Sequence, residues 1–474
     1  MNFCVRNKSN TISSNCCWLV AVRICCLGWL LHLSPPVLNN LVLRDSARLR
    51  YFTFFYLYVM QGIPAGFGLT AVYNYLIGNG LSARSVGSFA AIVGLPWTFQ
   101  FVWGPLIDKY QYSIIGHRKQ WVVLTQLVAA LASLSLLLVH SPVAQLSLMS
   151  GVFFVHSVFA SIQDASVDAI AISVVPVAER GRVNAFMRGG FLLGWAVGGA
   201  ALSYVLHHGG FTQAALAQSL ALLAFTVLTF FIKLERTDQL LPRLGRGPRP
   251  TPLAGHEAED NPPLSWLFRE LWRSMVEKHS LRAFAIIFLG YLGSYLFSNA
   301  YSFHLIHSLH WADADVSILQ GSWGSLVSFV VLLGGGVLVD RLGPARLQYW
   351  VMVGVAGFLL LFSSLASFWV VKTLSFTGLV VMNLADPLLS IAAMPLLMAF
   401  CRPRIEGSQF TTYMALVNLC GVTASYLNGW LLEVTTAPII GFACGVLVLT
   451  LVITLRRIEP HPQAQAQLAN QVAA

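Results

Sequence analysis

The apolar positions fall into twelve stretches, centred near residues 62, 94, 130, 160, 196, 222, 293, 327, 358, 385, 419 and 446. A hydrocarbon core about 30 Å thick is crossed by about 20 apolar residues in a helix, and each stretch is long enough. The pattern breaks once, after the sixth stretch. RTDQLLPRLGRGPRPTPLAGHEAEDNPP, Arg236 to Pro263, is rich in Pro, Gly and charge and reads as a linker. In the following LSWLFRELWRSMVEKHS, Leu264, Leu267, Phe268, Leu271, Met275 and Val276 recur at helical spacing, opposite Arg269, Glu270, Arg273, Glu277 and Lys278. That pattern predicts an amphipathic helix, lying on the inner membrane face or packed against helix ends. The chain thus divides into an extension (1–47), a six-helix bundle (48–235), a linker with its helix (236–280), a second six-helix bundle (281–457) and a tail (458–474).

Composition narrows the class. Of the 474 residues, 56% are hydrophobic and 10% charged, against about 25% charged in a soluble domain. So apolar a chain is expected to sit in lipid. The net charge of +10 raises the question of nucleic acid, and its distribution answers it. Setting aside Arg6, Lys8 and Arg23 leaves 26 of the 29 Lys and Arg; 24 fall in alternate loops on the side of the linker, and Arg84 and Lys372 on the other. Basic loops stay in the cytoplasm, so both termini are expected there, and the partner implied is the bilayer, not nucleic acid. Five of the eight cysteines, Cys4, Cys16, Cys17, Cys25 and Cys26, crowd the extension, with no disulfide-like or zinc-like spacing. Arg44, Arg48 and Arg50 just after it argue against a cleaved signal.

The linker separates six helices from six, and the two sets echo one another. GPLIDK places Gly104 four residues before Asp108 and Lys109; GGVLVDRLGPAR places Gly336 four before Asp340 and Arg341, at an offset of 232. ERGRVNAF from Glu179 and EGSQFTTY from Glu406 repeat at an offset of 227. Two homologous halves around a midplane site describe an alternating-access transporter. The GxxxD[RK] pattern, continued by Gly116, His117, Arg118 and Lys119 in the first copy and by Gly343 and Arg346 in the second, resembles motif A of the major facilitator superfamily. The resemblance implies an all-α membrane protein with the major facilitator fold, twelve transmembrane helices as two six-helix bundles. It also implies a gating role for Gly104, Asp108, Lys109, Arg118, Gly336, Asp340, Arg341 and Arg346: a latch that pairs acids with basic groups and helix ends.

YVMQGIPAGFG, FVWGPLIDKY…GHRKQWVVLTQ, QDASVD, AERG and EGSQFTTYMALVNLCG, in that order over about 380 residues, resemble the branch of the AmpG-type muropeptide permeases and the acetyl-coenzyme A transporters. Rhizobactin- and pyochelin-type siderophore permeases are similar too. The muropeptide permeases are usually longer in their second half and the acetyl-coenzyme A carriers have larger loops, so a compact bacterial inner-membrane permease fits best. The expected function is uptake of a bulky polar solute, a muropeptide first and a ferric siderophore second, with a sensor or scaffold behind both.

The chemistry centres on SIQDASVDAI. Asp164 and Asp168 lie one helical turn apart on one face, and each carboxylate costs about 2.5 kcal/mol or more to insert. Two acids about 6 Å apart in low dielectric do not both ionise readily, which suits a group that takes up and releases a proton. Arg188, two turns into the fifth helix, is the expected counter-ion of one of them. Gln61, Gln100, His156, Gln163, Asn299, Asn383, Asp386 and Asn418 are candidates for the substrate path, though a lone Asn or His in a bundle more often ties helices together. His304, His307 and His310 lack an acid or Cys at metal-binding spacing and read as surface histidines. No phosphate loop, nucleophile elbow or His-Glu metal motif marks an enzyme. No cofactor is expected beyond a proton gradient, and the transporter is expected to work as a monomer on a small-molecule substrate.

Overall fold

The computed structural model describes residues 41–109, 115, 118–176, 179–236, 238, 264–401 and 406–455. Its first six long helices are α1 (Ala47–Gly78), α2 (Ala83–Gly104, helical on to Lys109), α3 (Lys119–Leu138), α4 (Leu146–Val174), α5 (Arg182–Gly209) and α6 (Phe211–Phe231). After the linker come α7 (Ser280–His307), α8 (Asp313–Leu332, helical on to Leu342), α9 (Pro344–Ser364), α10 (Lys372–Met398), α11 (Gln409–Val434) and α12 (Ala437–Leu455). Each predicted centre falls inside one of them. Among the described residues there is no β-strand, only an isolated bridge between Val42 and Lys233.

The amphipathic helix is present as Leu264–Val276, packed on α7 and α11. Met275 reaches the core, while Trp272 and Val276 are exposed. Residues 41–45, assigned from the sequence to the extension, join the base of the first bundle: Leu43 N–H donates to Lys233 O (2.9 Å) and Arg50 donates to the carbonyls of Leu43 and Arg44. Arg50 also forks onto Glu179 at 2.8 Å, so α1, the start of α5 and the exit of α6 are tied at one corner.

The two halves repeat one packing scheme. α1 lies on α5 as α7 lies on α11; α3 packs on α4 and α6 as α9 packs on α10 and α12. In lipid, helices gain little from hiding apolar surface from each other, so close backbone contact matters more. Gly62 and Gly66 of α1 face Gly190, Gly194 and Gly198 of α5, and a Cβ at Gly194 would run into the Val59 carbonyl and the Gly62 Cα. The seam exists because these positions carry no side chain.

Helical regularity breaks at mid-span. Pro64 removes one backbone donor from α1, and a π-helical turn follows at Phe67–Val72. Similar turns occur at Val197–Ala201 in α5 and Leu319–Trp323 in α8, and the three meet where the halves touch. α10 is interrupted by a turn at Asn383–Leu384 and restarts at Ala385. Asp386 therefore sits in the first turn of a helix whose N-terminus lies inside the span, where the helix dipole favours negative charge.

Candidate transport site

α4 delivers its two aspartates to α1 and α2. The Tyr58 hydroxyl donates to Asp168 Oδ1 at 2.6 Å, and the Gln100 amide donates to Asp164 Oδ2. Asp164 Oδ1 has no hydrogen-bond partner, nor do the buried amide nitrogens of Gln61 and Gln163. Asp168 is solvent-accessible although it is flanked by apolar turns of α4. Asp168 thus faces water-reachable space, and Asp164, set deeper, keeps hydrogen-bonding capacity in reserve.

The aspartate–arginine ion pair expected from the sequence is not formed. Arg188 is exposed, lies within electrostatic reach of Asp164, Asp168 and Tyr58, and makes no ion pair with either acid within 4.0 Å. The described donors to the two acids are Tyr58 and Gln100 instead.

The second half mirrors this arrangement with fewer parts. Tyr295 of α7 donates to Asp386 Oδ1 of α10 at 2.7 Å, as Tyr58 of α1 does to Asp168 of α4. Asp386 is likewise solvent-accessible, and no basic side chain among the described residues pairs with it. Sequence reading passed over both tyrosines. The signal was slight: Tyr58 precedes Gln61 by three residues and Tyr295 precedes Asn299 by four, which puts each on the polar face of its helix.

The described ties between the halves run from mid-span to the face opposite the linker. Asn74 donates to Ser317 Oγ (3.0 Å) and Gln320 Oε1 (2.9 Å), and Gln320 in turn donates to Ser302 Oγ (2.8 Å). His207 meets Asp313 at 2.8 Å, and Arg84 meets Glu433 at 3.8 Å with its guanidinium 3.4 Å from the Trp430 ring centroid. Asn418 donates to the Trp97 carbonyl at 3.5 Å, a tie between bundles at mid-span. Asp168, Arg188 and Asp386 lie on the linker side of this seal.

Other candidates take quieter places. His156 is buried against α3, where its Nδ1 meets Ser133 Oγ (3.0 Å) and the Ala129 carbonyl (2.9 Å), and Gln218 of α6 donates to the same Ser133 hydroxyl. Asn299 donates to Ser425 Oγ across α7 and α11 (3.1 Å), and Asn383 packs beside Gly324 of α8. Arg118 adopts a left-handed backbone (φ 62°) and donates to the Ala169 carbonyl near the end of α4 (3.2 Å). Gly343 (φ 76°) takes the equivalent place before α9. Gly104 lies within the α2 helix, and Arg341 and Arg346 are exposed at the α8–α9 turn. The side chains of Asp108, Lys109 and Asp340, residue Gly336's surroundings and residues Gly116 and His117 lie outside the described residues, as do the linker 239–263 and the tail from 456. Among the described residues no group of three His, Cys, Asp or Glu could hold a metal.

Comparison with known proteins agrees with this architecture. The chain is 25% identical over 384 residues to the anhydromuropeptide permease of Escherichia coli (strain K12), covering 79% of this chain and 72% of that one. It is 21% identical over 400 residues to putative transporter AmpG 4 of Rickettsia felis, covering 81% and 90%. The fold is similar to that of the nucleoside transporter NupG (TM-score 0.61, 12% identity, 86% of this chain and 98% of that one). It is also similar to a POT family transporter in complex with 5-aminolevulinic acid (TM-score 0.62, 12% identity, 86% and 95%). The family model of the Major Facilitator Superfamily matches residues 49–288, just over half of the chain. With eleven helices long and apolar enough to span a membrane, a twelfth apolar helix at Ala437–Leu455, two like-packed halves and that match, the chain is a multi-pass membrane protein that belongs to the major facilitator superfamily.

Proposed function

We propose that this protein imports a cell-wall muropeptide into the cytoplasm, driven by protons entering with it. The observation that carries the reading is the α4 acid pair: two carboxylates one turn apart and without a paired arginine, Asp168 exposed to water and Asp164 set deeper, in a chain similar over most of its length to an anhydromuropeptide permease. A carboxylate fixed in an ion pair would stay charged through the cycle; one held by a tyrosine hydroxyl and an amide can gain and lose a proton. Taking the linker face as cytoplasmic by its basic loops, the site opens inward while the far seal is shut. Proton binding on α4 then neutralises a charge beside α1 and α2 and biases the rocking of one half against the other. The basic residues after α2 and α8 serve the latch that closes the linker face in the opposite state. The test is uptake of labelled anhydromuropeptide into cells expressing the protein, with ferric siderophore as the competing solute. Uptake of the muropeptide that an uncoupler abolishes is the expected result. Uptake of siderophore alone removes the substrate assignment, and uptake indifferent to the uncoupler removes the proton.

A further inference from the structure

His207, near the end of α5, has both ring nitrogens committed. Nδ1 lies 2.8 Å from the Ser203 carbonyl oxygen one turn earlier, and Nε2 lies 2.8 Å from Asp313 Oδ2 in the first turn of α8. A carbonyl oxygen only accepts, and so does an ionised carboxylate, so the two contacts need two hydrogens where a neutral imidazole supplies one. The pair therefore holds one proton more than a neutral ring beside a carboxylate. Asp313 opens a helix, where the dipole favours the anion, and this keeps the extra proton on the ring. The surroundings hold the geometry. Asp313 presses against α1, where a Cβ on Gly78 would come within 2.8 Å of its Cγ, and the Tyr75 ring of α1 meets the His207 ring edge-on at 6.0 Å. His208 stacks on Tyr204, Asp315 is exposed in the same first turn of α8, and α6 brings neutral Gln213 beside Gly209. His304 and His307 of α7 turn to Trp369 and Phe303 instead. Among the described residues, no basic side chain other than His207 pairs with Asp313.

We infer that His207 and Asp313 form a proton-binding site through which the face opposite the linker responds to the pH of the compartment it meets. The two residues belong to opposite halves, so opening that face parts them. In water an imidazole gives up its second proton above about pH 6.5, so the shut state holds a proton that the open state releases. The sign follows from that count: the shut state binds more protons, so acid favours shutting and alkali favours opening. Both side chains keep contact with solvent, and the proton enters and leaves on the same side. It biases the seal without crossing the membrane, which sets it apart from a proton carried by the α4 acids. The site goes beyond the uptake reading and needs only the two halves and their seal.

Spin labels at Ala144 and Val370, exposed on far-face connections of opposite halves, test this in the full chain with no solute present. Distances are measured from about pH 5 to about pH 8 in otherwise wild-type protein, in His207→Gln and in His207→Lys. A glutamine amide donates to Asp313 without ever carrying charge, and a lysine ammonium keeps its charge throughout that range. Wild type is expected to match His207→Lys at the acid end and to move toward His207→Gln at the alkaline end. Its ratio of open to shut is expected to rise by up to about tenfold per pH unit in between, the limit set by one proton. Any pH dependence that the variants share belongs to other groups, the α4 acids among them, and the site is read as what wild type shows in addition. A wild type that runs parallel to both variants overturns the site, and one that opens on acidification relative to them overturns its sign. Either variant alone suffices as the reference should the other fail to fold.

Discussion

The two halves hold the same pair of side chains in the same way and surround it differently. In each, a tyrosine from the first helix of the bundle donates to an aspartate of the fourth, at 2.6 Å for Tyr58–Asp168 and 2.7 Å for Tyr295–Asp386. Around Asp168 stand a second acid one turn away, a glutamine on that acid and an arginine without an ion pair; around Asp386 the described residues include no second acid, and the carboxylate opens the N-terminal turn of a helix that restarts in mid-span. A lone carboxylate at a helix N-terminus is stabilised as an anion. A pair of carboxylates in one low-dielectric site resists double ionisation and favours holding a proton. The contact is common to both halves and its surroundings differ; under the proposed function this divides the work, with proton exchange on α4 and solute binding on α10.

The largest effect expected from breaking this asymmetry comes from the α4 acids. Asp164→Asn with Asp168→Asn leaves α4 with no carboxylate, only neutral amides in their place. Coupling between two sites is worth about 1–3 kcal/mol, or 5–150-fold, so uncoupler-sensitive uptake is expected to fall toward the upper part of that range. Asp386→Asn is expected to change which solutes are taken up while uptake stays sensitive to the uncoupler. If Asp386→Asn abolishes that sensitivity and the α4 double variant keeps it, the division of work is reversed.

The tyrosines sharpen the same contrast at a smaller scale. A hydrogen bond to a charged group is worth about 1.5–3 kcal/mol, so Tyr58→Phe is expected to reduce uncoupler-sensitive uptake by at least about tenfold. Tyr295→Phe is expected instead to raise KM for the transported solute and spare maximal rate, since the donor it removes orients the Asp386 carboxylate. Parallel KM and rate measurements on both variants decide; identical profiles would mean that the symmetric pairs do identical jobs.

Much of this architecture is written in local pattern. Twelve apolar stretches located twelve helices, and the Gly104/Gly336 echo located the two halves. The i, i+4 spacing placed Asp164 and Asp168 on one face because helical geometry alone decides that. What the pattern did not contain is which neighbour reaches which acid. Arg188 was the obvious counter-ion by charge, yet Tyr58, 110 residues from Asp168, takes the near oxygen. A tyrosine in a spanning helix reads equally as an interface anchor, so its role emerges only once α1 is packed on α4. His156 had the polarity of a cavity residue and is turned to α3 by the packing of that bundle. The far seal was hidden for the same reason: Asn74 and Ser317 are 243 residues apart, and neither lies in a motif.

The seal allows a comparison of the two faces instead of the two halves. Asn74→Ala deletes both described bonds to α8, including the one onto buried Ser317. Two neutral hydrogen bonds contribute about 1 kcal/mol each, so the equilibrium is expected to move by roughly thirtyfold toward opening at the far face. Spin labels at Asn79 and Ser308, exposed on the connections of opposite halves, would report a new population at longer separation. An unchanged distance distribution would mean that apolar packing between the bundles keeps the far face shut unaided.

The smallest effect is expected at Arg84–Glu433, although it is a formal ion pair across the same seal. Its atoms are 3.8 Å apart and both side chains are substantially exposed, at 48% and 40%. Exposed pairs of this kind contribute about 0.2–1 kcal/mol. His207–Asp313 is tighter at 2.8 Å and more shielded, at 25% and 17%. Glu433→Gln is therefore expected to shift the label distances by less than Asp313→Asn does. Arg84 also lies over the Trp430 ring and its backbone abuts Gly429. The contact that holds Arg84 is thus the indole face, worth about 0.5–1 kcal/mol at an exposed site, and Trp430→Ala should open the far face more than Glu433→Gln. If Glu433→Gln has the greater effect, charge rather than stacking secures that corner.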